Sequence, residues 1–155
     1  KIPVLIKSKN EIGTVGIPDS VEGKGAIFLL NTGQVGNTQP LVQHFLERCK
    51  EEGFRNMLKN KFKKYNDASI EAFLKNEGKS LLKNVKSLSK VLYEHFQPMI
   101  PKVYRQLWKE GIESNAYYLK LCGSGGGGFI LGFTENYEVA QDKLSDYQID
   151  VIHRF

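Results

Sequence analysis

A chain of 155 residues with 41% apolar content, nine Phe, seven Tyr and one Trp can bury enough surface to order one compact domain. That excludes a peptide and a disordered tail. Its 22 Lys and Arg against 17 Asp and Glu leave a net charge of +5, which permits anionic partners without demanding them. Cys49 and Cys122 form no C-x-x-C pair and no metal-ligand spacing, so reduced thiols are expected rather than a disulfide scaffold or a metal site.

In chain order, Val4-Leu5-Ile6 already reads as strand, although the chain opens at Lys1 without a Met. This start predicts a processed product or a piece of something longer. No run approaches the roughly 18 apolar residues of a membrane span, and no secretory signal opens the chain, which predicts a soluble cytoplasmic protein. Residues 12–17 extend toward Pro18, and Ala26-Ile27-Phe28-Leu29-Leu30, closed by Asn31-Thr32-Gly33, predicts a buried strand.

After Gly36-Asn37 the period changes. Thr38 is placed to cap a helix, Pro40 fits its first turn, and Leu41, Phe45 and Leu46 recur at helical spacing until Gly53. A second helix runs from Phe54 through Leu58, Phe62 and Tyr65, with a break expected at Tyr65-Asn66-Asp67 before it resumes to Gly78. Leu81, Val85, Leu88 and Leu92 mark a third, lysine-flanked helix. Beyond Pro98 and Pro101, Val103, Leu107 and Trp108 predict a helix ending by Gly111.

Tyr117–Leu121 and Phe129–Phe133 read as strands joined through glycines, with Leu119 and Leu121 expected opposite residues such as Ile130 and Phe133. Asn136 is expected to cap a short helix with Val139, Ala140 and Leu144, and Tyr147–Ile152 to supply a last strand. The element order predicts an α+β domain with helices packed on one face of a largely antiparallel sheet.

The feature with most chemical content is Gly123-Ser124-Gly125-Gly126-Gly127-Gly128 between two apolar strands. Glycines there cost folding entropy but admit positive φ and close approach of N–H groups to phosphate oxygens, with Ser124 adding a hydroxyl. The alternative is a surface loop serving no ligand. Phe129 directly after Gly128 excludes a Walker loop, and a following strand fits a dinucleotide fingerprint poorly. A second polar turn runs from Asn31 to Thr38, with Thr32 and Thr38 as candidate substrate-side groups beside a helix N-terminus. Thr38 can equally serve only as an N-cap.

Lys59, Lys61, Lys63 and Lys64 read as a solvated helix face rather than a nucleic-acid site, because Phe54, Phe62 and Phe73 recur as core positions. His44, His95 and His153 form no metal constellation.

Lys120-Leu121-Cys122 followed by the glycine cluster resembles the third conserved motif of the GHMP small-molecule kinases, in the four-glycine form found in mevalonate kinase. Residues 26–33, followed by Thr38, resemble the strand and Thr-Gly turn that open the C-terminal half of that family. The resemblance implies a GHMP kinase C-terminal domain over residues 1–155 with a ferredoxin-like core, residues 1–25 being strands at the junction with an N-terminal half. It further implies phosphoryl transfer from ATP, with Mg²⁺, to a small-molecule alcohol, most similarly mevalonate, as in isoprenoid biosynthesis.

On this resemblance the ATP loop and catalytic Asp belong to the N-terminal half, which becomes the chain's partner. This chain holds no catalytic or metal-binding residue and is expected to be inactive alone. The loop from Gly123 to Gly128 would back the phosphate region, a homodimer remains open, and neither membrane nor nucleic acid is a partner. Cys122 stands where mevalonate kinases usually have Thr, Ser124 where Ala is frequent and Phe129 where a small residue is common. Phe96–Pro101 replaces the usual Gly-Val-containing turn. The competing class is a non-catalytic binding or regulatory domain that uses the glycine hairpin for an anion or a protein.

Overall fold

The computed structural model describes residues 4–155; the portion of the predicted junction that falls on residues 1–3 lies outside them. An N-terminal hairpin, β1 (Val4–Ser8) and β2 (Glu11–Thr14), stands apart from the main sheet. β3 (Ala26–Asn31) follows, then α1 (Thr38–Arg48), α2 (Glu52–Met57), a π-helical turn at Leu58–Phe62, α3 (Lys63–Leu74) and α4 (Gly78–His95). A 3₁₀ turn at Gln97–Met99 leads to α5 (Lys102–Ser114), β4 (Tyr118–Leu121), β5 (Phe129–Thr134), α6 (Tyr137–Lys143) and β6 (Ile149–Arg154).

The main sheet is antiparallel throughout, in the order β4-β5-β3-β6. This is the ferredoxin-like arrangement that the resemblance implies. Period-two alternation divides its side chains. Phe28, Leu30, Leu119, Leu121 and Ile130 join the main core with Tyr104, Leu107 and Trp108 of α5 and Ala140 of α6. Ile27, Tyr118 and Phe133 form a smaller cluster with Ala72 of α3 and Leu81 and Val85 of α4. Leu121 lies opposite Ile130 as predicted, but Phe133 pairs with Tyr118 and Leu119 with Gly132.

β4 is an edge strand, and α4 shields it. The Ser89 hydroxyl accepts from the Leu119 amide at 3.2 Å, while the Ser89 carbonyl accepts from the Trp108 indole N–H at 3.1 Å. Both Ser89 and Trp108 are fully buried. Ser89→Ala should therefore cost about 1–3 kcal/mol, the penalty of a buried N–H left without a partner. Chemical denaturation checks this, with a lowered midpoint at unchanged slope as the expected result.

Several helix ends differ from the sequence expectation, each for a packing or hydrogen-bonding reason. α1 stops at Arg48 rather than Gly53, because the Arg55 guanidinium donates to the Cys49 and Lys50 carbonyls at 3.0 and 2.6 Å. No break occurs at Tyr65-Asn66-Asp67: Lys63 pairs with Asp67 one turn on, and the irregularity lies earlier, in the π turn. Gly78 opens α4 instead of closing α3, whose end is made by Asn76 at φ +57°. The Phe155 ring occupies the space a Gly78 side chain would need.

α5 likewise passes through Gly111 and ends at Asn115 in the left-handed region. Gly111 is a contact glycine, since a Cβ there would lie 2.3 Å from the Tyr117 ring. Asn136 caps α6 as expected, its side chain accepting from the Glu138 and Val139 amides. Among the described residues, no helix is long and apolar enough to cross a membrane.

Candidate phosphate site at the glycine hairpin

The β4–β5 connection is a folded cradle. Gly123, Gly125, Gly126 and Gly128 have φ between +56° and +78°, and Gly127 has φ +153°. L side chains rarely adopt such conformations, so the sequence supplies glycine at each of them. The surroundings select glycine as well: a Cβ at Gly125 would lie 2.5 Å from the Met99 carbonyl oxygen, and one at Gly127 would lie 2.8 Å from the Gln34 oxygen and the Gly36 nitrogen.

Hydrogen bonds lock the cradle to both flanking segments. The Gly126 amide donates to Met99 O and the Gly128 amide to Gln34 O, each at 2.7 Å, while Gly125 N–H closes a local turn on Cys122 O at 3.1 Å. The 3₁₀ turn thus braces the loop through Met99. Arg105 fixes that turn in its place by donating to Gln97 O and Ile100 O. The amides of Gly123, Ser124 and Gly127 make none of these bonds.

Thr32 and Thr38, read together as substrate-side candidates, are placed differently. Thr32 is buried; its hydroxyl donates to Gly128 O at 2.8 Å and accepts from the Gln34 amide at 3.3 Å. Its carbonyl accepts from the Tyr104 hydroxyl at 3.0 Å. Burial, reinforced by Tyr147, pushes the Tyr104 phenol up from its ordinary value. Thr32 consequently ties the loop to β3. Thr32→Val should weaken that tie by about 1 kcal/mol. Amide hydrogen exchange checks this: the Gly126 and Gly128 amides are expected to exchange faster than in the parent chain.

Thr38 is the first residue of α1 and not its cap; Asn37 occupies the cap position and makes no side-chain capping bond. The Thr38 hydroxyl instead accepts from Ser124 Oγ at 3.2 Å, across 86 positions of sequence. The start of α1 and the glycine loop therefore face one another. A Cβ at Gly126 would come within 3.9 Å of the Asn37 nitrogen. Two hydroxyls thus meet beside a helix start that has no side-chain cap, and a helix N-terminus favours negative charge.

Next to this polar edge is a hollow of about 450 Å³, lined by Val42, Phe45, Leu58, Phe62, Phe96 and Met99 and reached by Thr38, Lys120, Gly123 and Ser124. The sequence reading placed Phe45, Leu58 and Phe62 on buried helix faces without placing a hollow beside the glycines. The local pattern carried no signal for the π turn that presents Leu58 and Phe62. Cys122, at the loop entrance, is half-buried, and burial pushes its thiol up from the ordinary value, with Lys120 opposing, which argues against a reactive thiolate.

No protein-family model and no curated protein matches the chain. Solved structures do. Streptococcus pneumoniae phosphomevalonate kinase in complex with phosphomevalonate and AMPPNP is similar over 94% of this chain, with a TM-score of 0.69 and 15% identity. The Lin0012 protein from Listeria innocua is similar over 91%, with a TM-score of 0.69 and 16% identity.

The fold is that of a GHMP kinase C-terminal domain. A second structure of the S. pneumoniae enzyme is similar over 95% of the chain, with a TM-score of 0.67 and 15% identity. The chain spans 44% of the length of each of these structures. At such identities the GHMP-type likeness establishes architecture, and chemistry has to be argued from the residues themselves.

Proposed function

We propose that the chain is the C-terminal part of an ATP-dependent GHMP-type kinase that phosphorylates a small-molecule alcohol, with mevalonate as the first acceptor to test. The observation that carries this reading is the glycine loop itself, with positive φ at five positions, seated against the start of α1 by the contact of the Ser124 and Thr38 hydroxyls. Donors fixed in advance stabilise charge on a transferring phosphoryl group without reorganising during the reaction. MgATP, when bound, supplies that group. Gly123–Gly128 and Thr38 orient the phosphate region, and Thr32 holds the loop in place.

On this reading the base and the main ATP loop come from an N-terminal half, and the chain alone is inactive. Phosphomevalonate, the molecule bound by the S. pneumoniae neighbour, is the second acceptor to test. The test is ADP release with MgATP and a panel of mevalonate, phosphomevalonate, galactose and homoserine, measured for the chain joined to its N-terminal half and for the chain alone. Turnover only in the joined form supports the reading. No turnover with any acceptor, or equal turnover by the chain alone, refutes it.

A further inference from the structure

The outer face of α4 carries an unbalanced line of charge. Lys79, Lys83, Lys86 and Lys90 fall at i, i+4, i+7 and i+11, the spacing of the buried stripe of Leu81, Val85, Leu88 and Leu92, but on the opposite side of the helix. They form one row, about 16 Å long at a rise of about 1.5 Å per residue. Lys79, Lys83 and Lys90 are exposed, and Lys86 is half-buried, its ammonium bonded to Asn115 Oδ1 and 5.9 Å from the centre of the Tyr118 ring.

At α3 and α5, lysines have acids one helical turn away, as in Lys63 with Asp67, Lys75 with Glu71 and Lys109 with Glu113. The row on α4 has none. From Gly78 to Tyr93 the sequence contains no Asp or Glu, and among the described residues none of these lysines takes part in an ion pair. Glu94, beyond the row, faces His95 at 3.8 Å. Like charges one turn apart repel, so an anion that matches the spacing relieves a cost built into the helix.

The surroundings of the row discriminate among polyanions. None of the exposed large apolar side chains lies on α4, so the face has nothing to insert into a lipid surface. The ring beside Lys86, that of Tyr118, is buried and offers no platform for a nucleic-acid base. A straight, convex row with one-turn spacing matches carboxylates repeated one turn apart on another helix.

We propose that the outer face of α4 docks an acidic helical segment of a partner protein, with carboxylates at i, i+4, i+7 and i+11 paired to Lys79, Lys83, Lys86 and Lys90. None of these lysines lines the hollow beside the glycine hairpin, so the inference does not rest on the kinase reading. Docking requires neither ATP nor an N-terminal half.

The test is fluorescence anisotropy of a labelled alanine-based helix carrying four glutamates in that row, titrated with the chain at low ionic strength. An isomeric peptide of equal charge, with its glutamates distributed around the helix, is the comparison. The row peptide is expected to bind saturably, at least about 5-fold more tightly than the isomer, and to weaken at least about 10-fold at physiological salt. Lys79→Gln, Lys83→Gln and Lys90→Gln together should weaken it about 10-fold, the loss of three exposed pairs. Lys59→Gln, Lys61→Gln and Lys64→Gln remove the same charge from the exposed face of the π turn and α3, and should leave affinity within about 2-fold. Equal binding of the two peptides, or equal losses in the two triple variants, would reduce the effect to net charge and overturn the proposal. Tighter binding of single-stranded oligothymidylate or of phosphatidylserine vesicles than of the row peptide, lost with the α4 lysines, overturns the assignment to a protein partner. The ADP-release assay bears on none of these outcomes, so this inference and the kinase reading fail separately.

Discussion

A Gly125→Val chain is expected to be about 3 kcal/mol less stable than the parent, to melt about 10 °C lower, and to lose phosphate binding at the hairpin. Gly125 is buried at φ +74°, and the added Cβ would lie 2.5 Å from the Met99 carbonyl oxygen. That oxygen cannot yield freely, because it accepts the Gly126 amide at 2.7 Å. Relief of the clash breaks the bond that seats the loop and turns its donors away from Thr38. Gly128→Ala is the matched control: φ is +72°, but no atom lies within 4 Å of the new Cβ. It should cost about 1–2 kcal/mol from backbone conformation alone. Differential scanning calorimetry separates the two variants, and similar melting temperatures would contradict the packing argument.

Trp108→Ala should have the larger effect on stability, about 3–5 kcal/mol. The side chain is fully buried in the main core, and its indole N–H bonds to Ser89 O at 3.1 Å. Truncation opens a cavity between α4 and α5 and frees the Ser89 segment that shields the β4 edge. Trp108→Phe retains most of the volume and loses only the hydrogen bond, so it should fall well short of the alanine variant. Urea denaturation checks the order of the three chains, with the slope unchanged if the cost is confined to the native state.

Much of this architecture was legible because the sequence states it twice, in period and in punctuation. Leu81, Val85, Leu88 and Leu92 announce α4 by spacing, and all four are buried. Asn136 announces α6 by its capping chemistry. Helix ends were less legible where tertiary contacts decide them. Gly53, Gly78 and Gly111 look like terminators, yet each lies inside a helix, and Gly78 and Gly111 face Phe155 and Tyr117 respectively. The π turn gives no local signal at all, since residues 54–65 suit a regular helix equally well.

The candidate site divides along the same line. Glycine at five of six positions declares the backbone conformation, and five positive φ values match it. What no spacing rule could supply is the pairing of Ser124 with Thr38, because 86 residues separate them and only the closed sheet brings them together. Thr32 was detectable as a special residue at a strand end, but its buried hydroxyl is spent on Gly128 O. The aromatic residues along α1 and the π turn carry helical periodicity, which says that they are inward but not that the space between them is open.

Amide chemical-shift mapping of the chain titrated with pyrophosphate tests the phosphate role of the hairpin most directly. The Gly123, Ser124 and Gly127 amides should shift with one shared saturation curve, while Gly126 and Gly128, bonded to Met99 and Gln34, move less. Shifts confined to the exposed lysines of α3 and α4, with the hairpin amides unmoved at saturation, would contradict that role.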